Sequence, residues 1–517
     1  MMTEAKTEMK AKTKRENVNG LKRLEELKEE LYRCIHCRAC RFAYSGEPDR
    51  QGIGEHKGVL YEGMLAGCPA GKFYEWEGYF NAGRMWMARA VLEGDLDLND
   101  PKVAKQMYDI LYHCPTCGNC SMQCENNLPT VDINEALRAC LYEAGCEMAP
   151  KHEGIRKLVD AKNNPYNEPH EHRMDWVADK KLLNNPKAKI AYYVGCTASY
   201  RMQAMAKATV ELLQKMVKQK LMPEFTILTD EVCCGSPVFR TGQWDIAKKV
   251  ANTNIKNFNK FEKVIFSCAG CYRTFKIDYP KYGDPKPKFK PMHVLEFLAD
   301  FMTIHCPACG QYNPVDAKFC SNPFCKFADP AKSPLKKGEP FPPALSQNKL
   351  KITKKWMQGT VTWHDPCHLI RHQAFEMKQQ AIEKTTGEGD NNMWKIYVSN
   401  QFERARWIDM PRMILKAIPG LQLKEMYRIG ENSLCCGAGG GVKAQYPDFA
   451  WNAAKDRLDE AEATGADIIL TACPFCELNL GQAAREGPDA KPEGAAVGGK
   501  YKGKILDLIE ILNMMID

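Results

Sequence analysis

The sequence predicts a protein of mixed α+β and α/β class. A helical, cysteine-rich N-terminal domain precedes two copies of an α/β module with parallel sheets, and a small cysteine ribbon is inserted between the copies. Three observations carry this reading. Cysteine is abundant, 24 of 517 residues, and falls in ordered groups. One pattern occurs twice: Cys196, Cys233-Cys234-Gly235 and Cys268-x-x-Cys271, then Cys367, Cys435-Cys436-Gly437 and Cys473-x-x-Cys476. Short apolar runs precede these groups and alternate with helical stretches, which implies a parallel sheet.

In chain order, residues 1–31 are crowded with Lys and Glu and read as a charged helix. Residues 32–150 hold the first eight clustered cysteines, with helical apolar spacing at Met85, Ala88, Val91 and Leu92 and again at Val103, Met107, Ile110 and Leu111. Residues 151–188, polar and rich in Asn, Pro and His, read as a linker. The first module, 189–302, is expected to place strands at 189–194, 225–228 and 263–266, with helices over 202–219 and 243–258. A cysteine island at 303–330 and a Pro/Lys-rich tether at 331–357 interrupt the repeat. The second module, 358–517, repeats the order with strands at 360–364, 421–423 and 467–470. It has 67 residues between Cys367 and Cys435 against 36 between Cys196 and Cys233, so part of 374–404 is an added excursion. Cysteines at the ends of parallel strands lie where open α/β sheets place their ligands.

Composition narrows the function. No stretch approaches the roughly 20 apolar residues of a membrane span, and residues 1–31 lack the apolar core of a secretory signal. Repeated Cys-x-x-Cys pairs without a signal favour metal in a reducing compartment over disulfides. The expected location is cytoplasmic, with any membrane association made through a partner subunit. The net charge of +8 assumes neutral thiols. Ligating thiols are ionised, so it does not indicate nucleic-acid binding. No dinucleotide fingerprint is present, which places any flavin or nicotinamide on a partner.

Cys34-x-x-Cys37-x-x-Cys40 is followed by Cys68-Pro69, and Cys114-x-x-Cys117-x-x-Cys120 by Cys124. In two-cluster ferredoxins the fourth cysteine of each run ligates the other cluster. That rule assigns Cys34, Cys37, Cys40 and Cys124 to one cubane [4Fe–4S] cluster, and Cys114, Cys117, Cys120 and Cys68 to a second. The run departs from the usual form in two places: Cys68 sits 28 residues past Cys40, and Glu125 replaces the proline after Cys124. Zinc is the alternative occupant, but the triplet spacing suits it poorly.

Adjacent cysteines cannot both face one metal from an extended strand. They can both serve a multi-iron cluster if the chain turns, and the following glycine permits that turn. Gly437-Ala-Gly-Gly-Gly441 lacks the Lys-Ser/Thr ending of a phosphate loop. The segments Val194-Gly-Cys-Thr197, Cys233-Cys-Gly235, Ser267-Cys-Ala-Gly-Cys271, His364-Asp-Pro-Cys-His368, Cys435-Cys-Gly-Ala-Gly-Gly440 and Ala472-Cys-Pro-Phe-Cys476 resemble heterodisulfide reductase. The order, ferredoxin part then two CCG modules, resembles its fused D-type catalytic chain over roughly residues 30–300 and 350–515. The resemblance implies that Cys196, Cys233, Cys234, Cys268 and Cys271 hold one noncubane [4Fe–4S] cluster, and Cys367, Cys435, Cys436, Cys473 and Cys476 a second. It further implies that a disulfide is split between them with electrons delivered through the two cubanes. His364 and His368 are candidate proton donors to the thiolate products, with loop orientation as the alternative role.

Cys306-Pro-Ala-Cys309 and Cys320-x4-Cys325 resemble a zinc ribbon, a closed four-thiolate site for one Zn, with rubredoxin-like iron as the alternative. Cys140 and Cys146 are left over and read as buried hydrophobic residues. Two functions follow. The first is a disulfide reductase subunit passing electrons from a partner to a thiol/disulfide pair. The second is an electron-transfer subunit without its own small substrate, similar to the K-type component of the sulfite reductase complex or to proteins associated with benzoyl-CoA reductase. By resemblance the partners are an HdrA-like flavin-containing subunit, electron-transferring flavoprotein, or a membrane b-type cytochrome.

Overall fold

The computed structural model describes residues 21–41, 67–306, 312–313, 320, 325, 350–387, 407–486 and 501–517. Of the charged helix expected over 1–31, residues 1–20 lie outside the described residues, and two short helices, Leu21–Glu25 and Lys28–Tyr32, occupy the remainder. The cysteine-rich domain is built on α1 (Asn81–Glu93), α2 (Pro101–Tyr112) and α3 (Thr130–Glu143). Pro101 opens α2, and the Asp100 carboxylate accepts from the Lys102 N–H, so a rigid φ and a satisfied donor fix that start. The apolar faces meet in a core containing Leu24, Met85, Val91, Leu111 and Leu137.

The stretch 151–188 is not a plain linker. Helix α4 (Pro150–Lys162) occupies its first part, and 3-10 turns at His170–Met174 and Lys180–Leu182 follow. The Asn163 carbonyl accepts from the Cys233 N–H at 2.8 Å, and Arg173 is fully buried. The segment is thus part of the first module.

That module contains β1 (Ile190–Tyr193), α5 (Gln203–Lys218), β2 (Phe225–Thr226), α6 (Trp244–Phe258), β3 (Lys263–Phe266) and β4 (Lys290–His293). All neighbours are parallel in the order β2-β1-β3-β4. The sequence reading missed β4, whose Lys-Pro opening suits an edge strand. The second module contains β5 (Val361–Trp363), α7 (Arg371–Gly387), α8 (Pro447–Ala463), β6 (Ile468–Thr471), β7 (Lys504–Asp507) and α9 (Leu508–Met515). Its strands run parallel in the order β5-β6-β7, and Leu423 adds one parallel bridge to Val361. The expected strand at 421–423 is therefore a single bridge, but it lies where β2 lies in the first module. Much of 374–404 either belongs to α7 or lies outside the described residues. The end of the expected tether is packed, with Leu350 and Trp356 buried.

The two modules share one hydrophobic core. Helix α5 packs on α9, and Lys215 Nζ donates to the Asn513 and Ile516 carbonyls at 2.7 and 2.6 Å. The cysteine-rich domain is held against both modules by Arg138 of α3. Its guanidinium is fully buried and donates to Leu111 O and Cys114 O (both 2.6 Å), Arg240 O (2.6 Å) and Gly440 O (3.1 Å). Beside it, Arg240 and Arg273 of the first module pair with Asp278 and with Glu135 of α3. Replacing Arg138 by Met should cost roughly 3 kcal/mol, because carbonyls would be left buried without donors. Denaturant unfolding checks this: the midpoint should fall, and proteolysis between the N-terminal domain and the modules should speed up.

Candidate metal centres

Two cavities in the N-terminal domain carry the two ferredoxin-type cysteine sets. One is lined by Cys34, Cys37, Cys40 and Cys124, with His36 and Thr130 at its wall. The other is lined by Cys68, Cys114, Cys117 and Cys120, with Arg84 beside them. Each cavity thus takes three cysteines from one run and one from the other.

The site residues of the modules sit at the carboxyl ends of the parallel strands. Cys196 opens a short helix directly after β1, and Cys268 and Cys271 flank the start of another directly after β3. In both modules the glycine of the Cys-Cys-Gly turn has a left-handed backbone, with φ of 83° at Gly235 and 84° at Gly437. The turn that two adjacent ligands require is therefore present twice. Its amide N–H groups point at sulfur: Gly235 N to Cys233 Sγ (3.4 Å), Ser236 N to Cys234 Sγ (3.4 Å) and Gly437 N to Cys435 Sγ (3.3 Å).

The sulfur sets lie within interaction range of one another. Cys117, on the second ferredoxin-type cavity, meets Cys435 of the second module. Cys435 in turn meets Cys367 and Cys436. Across the module junction, Cys473 meets Cys268. The glycine run makes the first of these contacts possible. A Cβ on Gly440 would lie 2.4 Å from the Cys114 carbonyl, and one on Gly439 would lie 2.4 Å from that of Pro115. The glycines serve close approach of two backbones, for which no phosphate need be invoked.

Charged residues missed in the sequence complete the sites. Arg173 donates to Cys196 Sγ at 3.4 Å and pairs with Glu231, which also accepts from the Val194 and Gly195 N–H groups. Thr130 Oγ1 donates to Cys120 Sγ at 2.9 Å. In the second module Arg457 Nε donates to His364 Nδ1 at 3.1 Å. The proton of a neutral His364 therefore sits on Nε2, which has no oxygen or nitrogen partner and faces Cys436. One ligand atom each of His364, Cys436 and Cys476 lies within 4.8 Å of the others. His368 lies at the module junction, its Nδ1 3.5 Å from where a Cβ on Gly270 would stand. Burial, and then the charge of Arg273, push its pKa down to about 3.

The thiols fit a bound cation. Burial pushes Cys40 up to about 12 and Cys68 up to about 11. Hydrogen bonding to Cys435 comes first in drawing Cys117 down to about 6, with Arg371 also lowering it. Buried thiols grouped this closely do not all ionise without a compensating cation, which iron would supply. In the cysteine island, Cys306, Cys320 and Cys325 sulfurs lie within 4.8 Å of one another, while Cys309 lies outside the described residues. Of the two leftover cysteines, Cys140 is fully buried, whereas Cys146 is only half-buried.

Paired cysteine-rich modules on a two-cavity cysteine domain define an iron–sulfur electron-transfer protein. The 4Fe-4S dicluster domain family matches residues 30–128, and the CCG cysteine-rich domain family matches 190–276 and 396–481. The second CCG match leaves out Cys367, although the structure places Cys367 against Cys435. The D subunit of the dihydromethanophenazine:CoB–CoM heterodisulfide reductase of Methanosarcina mazei is 31% identical over 457 residues, covering 87% of this chain and 88% of the relative. The B subunit of the CoM/CoB fumarate reductase of Methanothermobacter marburgensis is 27% identical, covering 78% of this chain and 61% of the relative. The EtfAB:quinone oxidoreductase of Syntrophomonas wolfei is 22% identical, covering 80% and 48%. The chain belongs to the family of heterodisulfide reductase D-like CCG iron–sulfur proteins.

The crossed ligand sets make a direct prediction. Cys124→Ser should remove the same cubane EPR signal as Cys34→Ser, and Cys68→Ser the same signal as Cys120→Ser. Pairing of Cys124 with the Cys120 signal would contradict the assignment.

Proposed function

We propose that this chain is the iron–sulfur subunit of a complex that reduces or oxidises a disulfide/thiol pair at the junction of the two modules. The observation that carries the reading is the run of contacts from Cys117 to Cys435 within the second module, and across to the first through Cys473 and Cys268. In this reading the two ferredoxin-type sets hold cubane [4Fe–4S] clusters and the two five-thiol sets hold noncubane [4Fe–4S] clusters. Bound there, the clusters supply one-electron conduction and sulfur coordination. Reduction of R–S–S–R′ breaks the S–S bond with two electrons and two protons and releases two thiols.

The chain's own residues orient and protect this chemistry. Amide and guanidinium donors stabilise thiolate sulfur without competing for it. His364, held by Arg457, presents its Nε2–H to Cys436 and so positions that ligand. His368 is the better placed of the two to face a substrate sulfur, since it sits at the junction near Gly270 and Ser236. As a neutral imidazole it acts first as a hydrogen-bond donor. Cys306, Cys309, Cys320 and Cys325 form the proposed Zn ribbon, which we assign a stabilising or docking role.

Electrons are proposed to come from a flavin-containing subunit, an electron-transferring flavoprotein or a b-type cytochrome. Among the described residues no helix is long and apolar enough to cross a membrane, so membrane association would use such a partner. A second reading is an electron-transfer subunit without its own substrate. It is favoured by the close approach of Cys268 and Cys473, both buried, at the proposed substrate position.

Anaerobically purified protein should contain about 16 irons and about one zinc. EPR of the oxidised protein should change on adding the candidate thiols. Iron near half that value would contradict the two noncubane sites, and full iron without a thiol-dependent signal would select the second reading. His368→Gln should lower turnover by about 10²-fold while leaving the iron content intact.

A further inference from the structure

Among the described buried arginines of the two modules, all but one pair with a carboxylate, whereas Arg84 and Arg138 of the N-terminal domain serve backbone carbonyls. Arg173 beside Cys196 is neutralised by Glu231, Arg240 and Arg273 by Asp278, Arg412 by Asp365, and Arg457 by Glu460. Arg371, the first residue of α7, is 1% exposed and has no carboxylate salt-bridge partner among the described residues. Its Nη1 donates to the carbonyls of Ser433 and Glu431. Its Nε and Nη2 are shielded from solvent and have no oxygen or nitrogen partner. The Cys367 thiol is within hydrogen-bonding reach of the guanidinium, and Cys117 of the N-terminal domain and Cys435 of the second module are its further sulfur neighbours. The corresponding position of the first module, four residues past its first cysteine, is Tyr200.

A buried cation in a low-dielectric site must be compensated by negative charge or strong acceptors. Here the compensation on offer is thiolate sulfur from two different ligand sets. Hydrogen bonds and positive charge at cluster sulfurs stabilise the reduced, more negative state and raise the reduction potential. From this geometry we infer that Arg371 is a positioning residue shared by two centres. Its free N–H groups bridge the Cys68/Cys114/Cys117/Cys120 set and the second module's set, and hold both reduction potentials above those of the outer sets. The junction between the N-terminal domain and the modules thereby becomes the place where an arriving electron is held. The inference rests on the cluster occupancy proposed above.

The test is an EPR-monitored redox titration of the full protein and its Arg371→Gln and Arg371→Lys variants, each with iron analysis. In Arg371→Gln the two centres at the junction should lose about tenfold in their equilibrium for reduction, ~59 mV downward for one electron. The Cys34 set and the first module's set should not move. Arg371→Lys keeps the charge but not the planar fork, and should give a smaller shift at the same two centres. Unmoved midpoints in either variant with full iron, or an equal shift at all four centres, would overturn the inference. A residue that only holds the Ser433 turn would not move the midpoints. Loss of iron from both variants would likewise assign Arg371 to scaffold alone. Absence of the two junction signals from the unaltered protein would instead remove the occupancy reading itself.

Discussion

One guanidinium organises this molecule. Arg138 projects from α3 into a place where three pieces of chain meet, and it binds carbonyls of all three. A buried charge is costly unless its donors are satisfied. Two of its nitrogens satisfy four carbonyls: Leu111 and Cys114 in the N-terminal domain, Arg240 in the first module and Gly440 in the second. That geometry seats the Cys114–Cys117 loop on the glycine run after Cys436. The contact between Cys117 and Cys435 follows from it, and the contact between Cys268 and Cys473 depends on the same mutual placement of the modules.

The repeat is symmetric in backbone and asymmetric in charge. Both modules use the same strand order, the same left-handed glycine after paired cysteines and the same sulfur-directed amides. Around that frame the side chains differ. The first module offers Cys196 a guanidinium already neutralised by Glu231. The second offers an unpaired guanidinium at Cys367 and a histidine locked by Arg457 at Cys436. Cluster potentials depend on such hydrogen bonds and charges, so two sites with the same ligand pattern need not be electronically equivalent.

Much of the site was legible in the sequence because its chemistry is punctual. Cysteine spacing needs no context, and the strands before Cys196 and Cys268 are short apolar runs that a buried parallel strand requires. What escaped is physically different. Arg138, Arg173 and Arg371 are each buried because they serve carbonyls or sulfurs distant in sequence. Nothing local marks such a residue. Helix α4 buries little more than His152 and Val159, so its apolar period is too weak to separate it from a linker. Strand β7 follows a stretch outside the described residues and has only one buried residue, Asp507, so no alternation announced it.

The central claim is that the proposed electron route enters the modules through the second one, at Cys117 and Cys435. Freeze-quench EPR of a Cys435→Ser, Cys436→Ser double variant tests it most directly. After mixing with a reductant that reduces the N-terminal clusters, those signals should appear at the normal rate. Reduction of the first module's cluster should be slowed by orders of magnitude. Reduction of that cluster at the unaltered rate would contradict the account, because electrons would then reach the first module without passing Cys435.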